Sequence, residues 1–244
     1  MKDKNLTPNQ RQIVAQLQEQ LERFSHTRRH DAAAVSTGCQ ELDRRLPRGG
    51  LCRGTLVEWF SPGSGSGAGS LALAAAREAC RVDGALVVID RAASFYPPAA
   101  AQAGVNLARL IVVRPENAAD ESWALDQALR CSAVAAVLCW IERLPSRVWR
   151  RMQLAAEATA NLGLFVRPAN ARGDPSWADV RFLVTPLALQ EGRRLRVELL
   201  RLRGNAGGQT LDLELDDETG VMRLAPPVAA PAVPASRAVR QAQG

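Results

Sequence analysis

Between Ser61 and Ser70 the chain reads SPGSGSGAGS, after the apolar stretch GTLVEWF and before LALAAAREACRV. A strand that runs through a glycine-rich turn into a helix can hold a phosphate, because successive backbone N–H groups surround the anion and the helix N-terminus adds its dipole. The complete chemistry needs G-x-x-x-x-G-K-[ST], with the lysine neutralising the outer phosphates and the hydroxyl coordinating Mg²⁺. With Gly67 as the last motif glycine, after Gly63 and Gly65, Ala68 stands at the lysine position and Gly69 at the hydroxyl position. Shifting the register towards Ser70 does not help, since no lysine follows Lys4. Two uses stay open for this loop: weak anion binding through its backbone, or a sharp turn between strand and helix. Without the lysine and the metal ligand, little affinity for a triphosphate is expected.

The metal side fails in the same way. A strand such as AVAAVLCWI should end in an aspartate that holds Mg²⁺, yet it ends in Cys139, Trp140 and Ile141, with Glu142 two residues late. Trp140, at the carboxylate position, is expected to fill the space of a hydrated metal. Arg91, after the strand ALVVID, is a conceivable substitute charge in cis. The only histidines, His26 and His30, precede the patterned part of the chain, and the five cysteines form no C-x-x-C. That argues against a His-based triad or metal cluster and for buried free thiols in a reducing compartment. No catalytic residue, metal or cofactor is assigned.

Three other groups of residues could make contacts. Arg143, Arg147, Arg150 and Arg151 follow the AVAAVLCWI strand, where ligands gather in open α/β sheets; they are either a solvated helix face or phosphate contacts. In RRLRVELLRLR, Leu195, Val197 and Leu199 alternate with Arg194, Arg196 and Glu198, as in a half-buried edge strand whose charges prevent unwanted pairing or dock an acidic partner. Trp59, Trp140 and Trp149 read as core, while Trp123 and Trp177 adjoin acids and could be surface anchors. Asp216–Gly220, DDETG, reads as a turn.

The elements that must position these residues follow from patterning. With 244 residues, 47% of them hydrophobic and 23% charged, the chain has the composition of a globular protein large enough to bury a core without disulfides. The charge balance is 31 Lys plus Arg against 25 Asp plus Glu, a net +6 that permits nucleic-acid contact without demonstrating it. No apolar run reaches the ~18 residues of a membrane span and no signal-peptide core is present, so a cytoplasmic protein without a membrane partner is expected. Residues 1–31 read as an amphipathic helix over Pro8–Phe24, with Ile13, Leu17, Leu21 and Phe24 at helical spacing, plus a polar linker. That helix either packs back on its own domain or docks on another protein. Residues 32–224 alternate strands and helices, which predicts an α/β fold: a mostly parallel sheet flanked by helices, closed by a C-terminal β-hairpin at Leu211–Leu215 and Val221–Leu224. Residues 225–244, rich in Pro and Ala, are expected to be disordered.

STGCQELDRRLPRGGLCRGTLVEWFSPGSGSGAGSLALAAA, Ser36 to Ala76, resembles the start of the core of RecA-type ATPases. LVVID, AGVNLARLIVVRP, WALDQALR and AVAAVLCWI follow in the same order. Against that background Gly63, Gly65, Gly67, Ala68, Gly69 and Ser70 form a degenerate P-loop and Trp140 a degenerate Walker-B end. Ala92 and Ala93 lie where a water-activating glutamate is expected. With RMQLAAEATANLGLFVRP and RRLRVELLRLRGNAGG, these departures are similar to the ImuA family, RecA-like accessory proteins of SOS-induced translesion DNA synthesis. The resemblance implies a non-hydrolysing adaptor between RecA and an ImuB-type Y-family polymerase homologue, with DNA reached through these partners and Ile13, Leu17, Leu21 and Phe24 docking on RecA. A SulA-like cell-division inhibitor and a weak nucleotide-binding or DNA-binding module are the alternatives.

Overall fold

A computed structural model describes residues 34–187, 193–203, 207–216 and 222–225. The helix expected at Pro8–Phe24, with Ile13, Leu17, Leu21 and Phe24, lies outside the described residues, as do most of DDETG and the tail after Ala225.

The elements, in chain order, are β1 (Ala34–Val35), α1 (Gln40–Asp43), β2 (Leu51–Cys52), β3 (Leu56–Ser61), α2 (Ala68–Ala79), β4 (Ala85–Ile89), α3 (Pro97–Gln102) and β5 (Leu110–Val113). They continue with α4 (Ala118–Arg130), β6 (Val134–Trp140), α5 (Ser146–Thr159), β7 (Leu162–Pro168), β8 (Val180–Leu187), β9 (Arg193–Leu202), β10 (Gln209–Leu215) and β11 (Met222–Leu224). Among the described residues nine strands form one mixed sheet, in the order β5-β4-β6-β7-β3-β8-β9-β10-β11. Pairing is parallel from β5 to β8 and antiparallel from β8 to β11.

The parallel strands are near-continuous apolar runs because helices cover both of their faces. On one face α2 buries Leu71, Ala72, Ala75 and Ala76 against Val57, Trp59, Val88, Leu138 and Leu164. Its buried side is mostly alanine, so the helix can lie close to the sheet. On the other face α4 and α5 bury Leu125, Leu129, Trp149 and Met152 against Leu56, Ile89, Val137 and Phe165. Asn117 caps α4, its side chain accepting from Ala119 N at 2.9 Å and Asp120 N at 3.0 Å. Ahead of the sheet, Asp43 accepts from Thr37 N and Thr37 Oγ1, both at 2.7 Å, and from Ser36 Oγ at 2.6 Å. This network ties the Ser-Thr-Gly turn to the Leu-Asp that follows it.

One expectation is corrected. Strand β9 is not an edge: it pairs with β8 on one side and β10 on the other. Arg194 and Arg196, which read as edge charges, face Glu214 and Asp212 on β10, and that neighbouring strand makes the interior placement possible.

Candidate functional site

The carboxyl ends of β3, β4 and β6 converge where the glycine-rich loop turns into α2. The loop answers its own hydrogen bonds. Ser61 Oγ and Ser66 Oγ lie 2.7 Å apart, Ser61 Oγ accepts from Gly63 N at 3.1 Å, and Ser66 Oγ accepts from Ala68 N at 3.3 Å. Two of the loop's backbone donors, Gly63 N and Ala68 N, are therefore partnered within it. Gly63 and Gly65 face open space. Gly67 does not: its φ is +90°, and a Cβ there would stand 2.5 Å from Leu195 Cδ1 of β9. Ser70 is exposed on the first turn of α2.

At Gly69 a Cβ would lie 3.5 Å from Cζ2 and 3.6 Å from Nε1 of Trp140. A threonine would push its hydroxyl and methyl beyond that Cβ into the indole. Trp140, half-buried and tilted against Phe95 at 6.0 Å between ring centroids, thus packs its indole between the end of β6 and Gly69 on the first turn of α2. With Ala68 at the lysine position, the residues present do not fit a magnesium nucleotide. At the end of β4 the buried Asp90 accepts from Ser94 N at 3.0 Å and Phe95 N at 2.9 Å, holding a turn in which Ala93 has φ +51°. Arg91 pairs with Glu121 of α4 at 3.2 Å.

The four arginines after β6 do not act as one group. Arg151 pairs with Asp126 at 3.2 Å, Arg143 stands 3.9 Å from Asp174, and Arg150 bonds Gln153 while lying 4.6 Å from the centre of the Trp177 ring. Arg147 is exposed. Arg194 and Arg196 are also occupied, Arg194 by Glu214 and Arg196 by both oxygens of Asp212 at 2.8 and 2.9 Å. The Arg196 hydrogen bond holds the Asp212 carboxyl below its ordinary value. Trp59 and Trp149 are fully buried, Trp177 partly exposed, and Trp123 65% exposed.

The thiols divide, against the expectation that all are buried: Cys39 and Cys139 are buried, Cys52 and Cys80 half-buried, and Cys131 exposed. Burial pushes the Cys139 and Cys39 thiols up and Cys80 to about 11, so these three are protonated at neutral pH.

Sequence reasoning missed a cluster beneath the same strand. Glu58, on the opposite face of β3 from Trp59, accepts from Arg167 Nη1 at 2.5 Å and stands 2.7 Å from Arg181 Nε, in an ion pair without hydrogen-bond geometry. Arg167 also donates to Glu142 O at 2.9 Å and to Asp174 Oδ2 at 3.1 Å, which ties together the loops after β6 and β7. Both Glu58 and Arg167 have fully buried side chains. The available signal was a glutamate in the middle of LVEWF and an arginine ending LGLFVR.

The profile of the RecA N-terminal domain matches residues 11–141, more than half of the sequence. The chain belongs to the RecA N-terminal domain family. This RecA-like chain is 36% identical to Protein RecA of Clostridium perfringens (strain 13) over 105 residues, which are 43% of the chain and 29% of that protein. It is 24% identical to Protein RecA of Chlamydia trachomatis serovar L2 over 227 residues, 83% of the chain and 64% of that RecA. It therefore spans less than two thirds of the length of either relative. Its fold is similar to the crystal structure of the RadB recombinase, with a TM-score of 0.63 at 17% identity, over 79% of this chain and 100% of that one. Among the described residues no helix is long and apolar enough to cross a membrane.

Proposed function

We propose that this RecA-like chain is a non-catalytic accessory protein of the ImuA type, coupling RecA to an ImuB-type Y-family polymerase homologue during SOS-induced translesion DNA synthesis. The observation that carries this reading is the fit of Trp140 against Gly69 beside Ala68. Metal ligand, hydroxyl and lysine positions have been exchanged together for an aromatic ring and two residues small enough to admit it. A surface kept in the shape of RecA without a nucleotide site is suited to contacts with RecA and its companions. The N-terminal residues Ile13, Leu17, Leu21 and Phe24 supply the apolar stripe for docking on RecA.

The test is binding of the full chain to purified RecA, free and assembled on single-stranded DNA, with and without ATP. Binding is expected, and Ile13→Glu with Leu17→Glu should abolish it while leaving the circular dichroism unchanged. No binding to RecA in any state would overturn the adaptor reading. Steady-state ATP hydrolysis above a buffer blank, lost on Gly67 substitution, would overturn the non-catalytic one.

A further inference from the structure

At the amino end of the sheet, opposite the loop, a cavity of about 290 Å³ opens between the end of α2, the start of β4 and the loop after α3. Its wall is built with care for shape. Arg77 donates to Ala103 O at 2.9 Å, and its stem passes Gly104, where φ is +83° and a Cβ would lie 3.2 Å from Arg77 Cδ. Only glycine combines that backbone with that approach.

The floor is apolar: Leu86 and Val105 are buried, and burial keeps the Cys80 thiol uncharged. The rim is cationic and apolar by turns, with Arg81 72%, Arg109 47% and Val82 87% exposed. Carboxylates do not balance the mouth. Glu78 serves both Arg77 at 2.9 Å and Arg81 at 3.1 Å, and the exposed Asp83 stands 3.7 Å from Arg109. Arg53 adds a further positive charge, donating to Ala79 O at 2.8 Å. The carbonyl end of α2 accounts for Arg53; Arg81 and Arg109 are on the rim of the cavity.

We propose that this cavity docks an acidic segment of a protein partner, receiving one aliphatic side chain against Leu86 and Val105 while flanking carboxylates pair with Arg81 and Arg109. An inorganic anion would leave the apolar floor and Val82 unanswered, whereas a purely apolar segment would leave the excess of three arginines over two carboxylates so. The inference is independent of whether RecA is the partner.

The experiment is a methyl NMR titration of the full chain with four capped pentapeptides, EELEE, QQLQQ, EEGEE and KKLKK. EELEE should shift the methyl signals of Val82, Leu86 and Val105 and bind more weakly as salt is raised. The double substitution Arg81→Glu with Arg109→Glu should weaken EELEE by about tenfold or more and transfer preference to KKLKK. Equal binding of QQLQQ or EEGEE, absence of methyl shifts, or indifference to the charge reversal would overturn the proposal. So would competition by inorganic phosphate at the concentration at which EEGEE competes, which would make the cavity a simple anion site. If EELEE binds only after Glu19→Gln with Glu22→Gln, the cavity belongs to this chain's own N-terminal segment, and the partner assignment fails.

Discussion

Strand β3 separates two regions that treat charge in opposite ways. Above it, on the side of Trp59, lies the glycine-rich loop, without a charged side chain and packed by Leu195 and Trp140. Below it Glu58, Arg167, Arg181 and Asp174 form a buried or half-buried set, flanked by Phe60 and Trp149, whose rings lie 5.7 and 5.4 Å from the Arg167 guanidinium. A nucleotide site needs charge held ready for an absent partner, which a protein retains only while the ligand repays it. The lower cluster needs no ligand, because each guanidinium already faces a carboxylate, a carbonyl or a ring. On the two sides of β3, charge stands where the chain itself completes the circuit, and fitted apolar groups stand where it does not.

The contrast can be broken most directly from below. Arg167→Met leaves Glu58 buried with only its poorly angled Arg181 contact and frees Glu142 O, and should lower the unfolding free energy by about 3–5 kcal/mol in a urea titration. A loss under about 1 kcal/mol would mean that the cluster is not holding the loops after β6 and β7. Above the strand, Trp140→Ala should cost about 2–3 kcal/mol, less than a fully buried tryptophan, through the cavity it leaves. Fluorescence of a labelled ATP analogue should stay unchanged on adding this variant, since emptying the space restores neither lysine nor hydroxyl.

Gly67→Ala tests the loop more finely. It meets both the left-handed backbone and Leu195, and a loss of about 1–2 kcal/mol is expected. In a Leu195→Ala background the steric share should vanish and the backbone share remain, as a double-mutant cycle would read. The smallest effect belongs to Asp212→Asn on the exposed side of β9 and β10. Because Arg196 depresses the folded-state Asp212 pKa, its contribution is present above the unfolded value of about 3.9 and is lost as pH falls through the lower folded value. The urea midpoints of wild type and Asp212→Asn should differ slightly at neutral pH and converge in acid; a difference that survives in acid would show that the ion pair is not its source.

Much of this is legible in the sequence. The apolar runs at Ala85–Ile89, Val134–Trp140 and Val180–Leu187 announce buried strands, and the alanine-rich stretch after the loop announces α2, because these signals are local in the chain. The loss of lysine and hydroxyl at Ala68 and Gly69 is a matter of residue identity alone. The placement of β9 was not legible, since an arginine-bearing strand reads as an edge until the carboxylates of β10 are seen beside it.

What the sequence determined, then, is which chemistry is missing: no folding can supply a lysine or a carboxylate that positions 68 and 140 do not encode. What only the tertiary structure decided is what stands in its place. Trp140 meets Gly69 across the end of the sheet, and Arg167 meets Glu58 across a separation of 109 residues. Both pairings depend on strand order and side-chain direction, which local propensity does not specify and which packing settles once the parallel strands lie side by side.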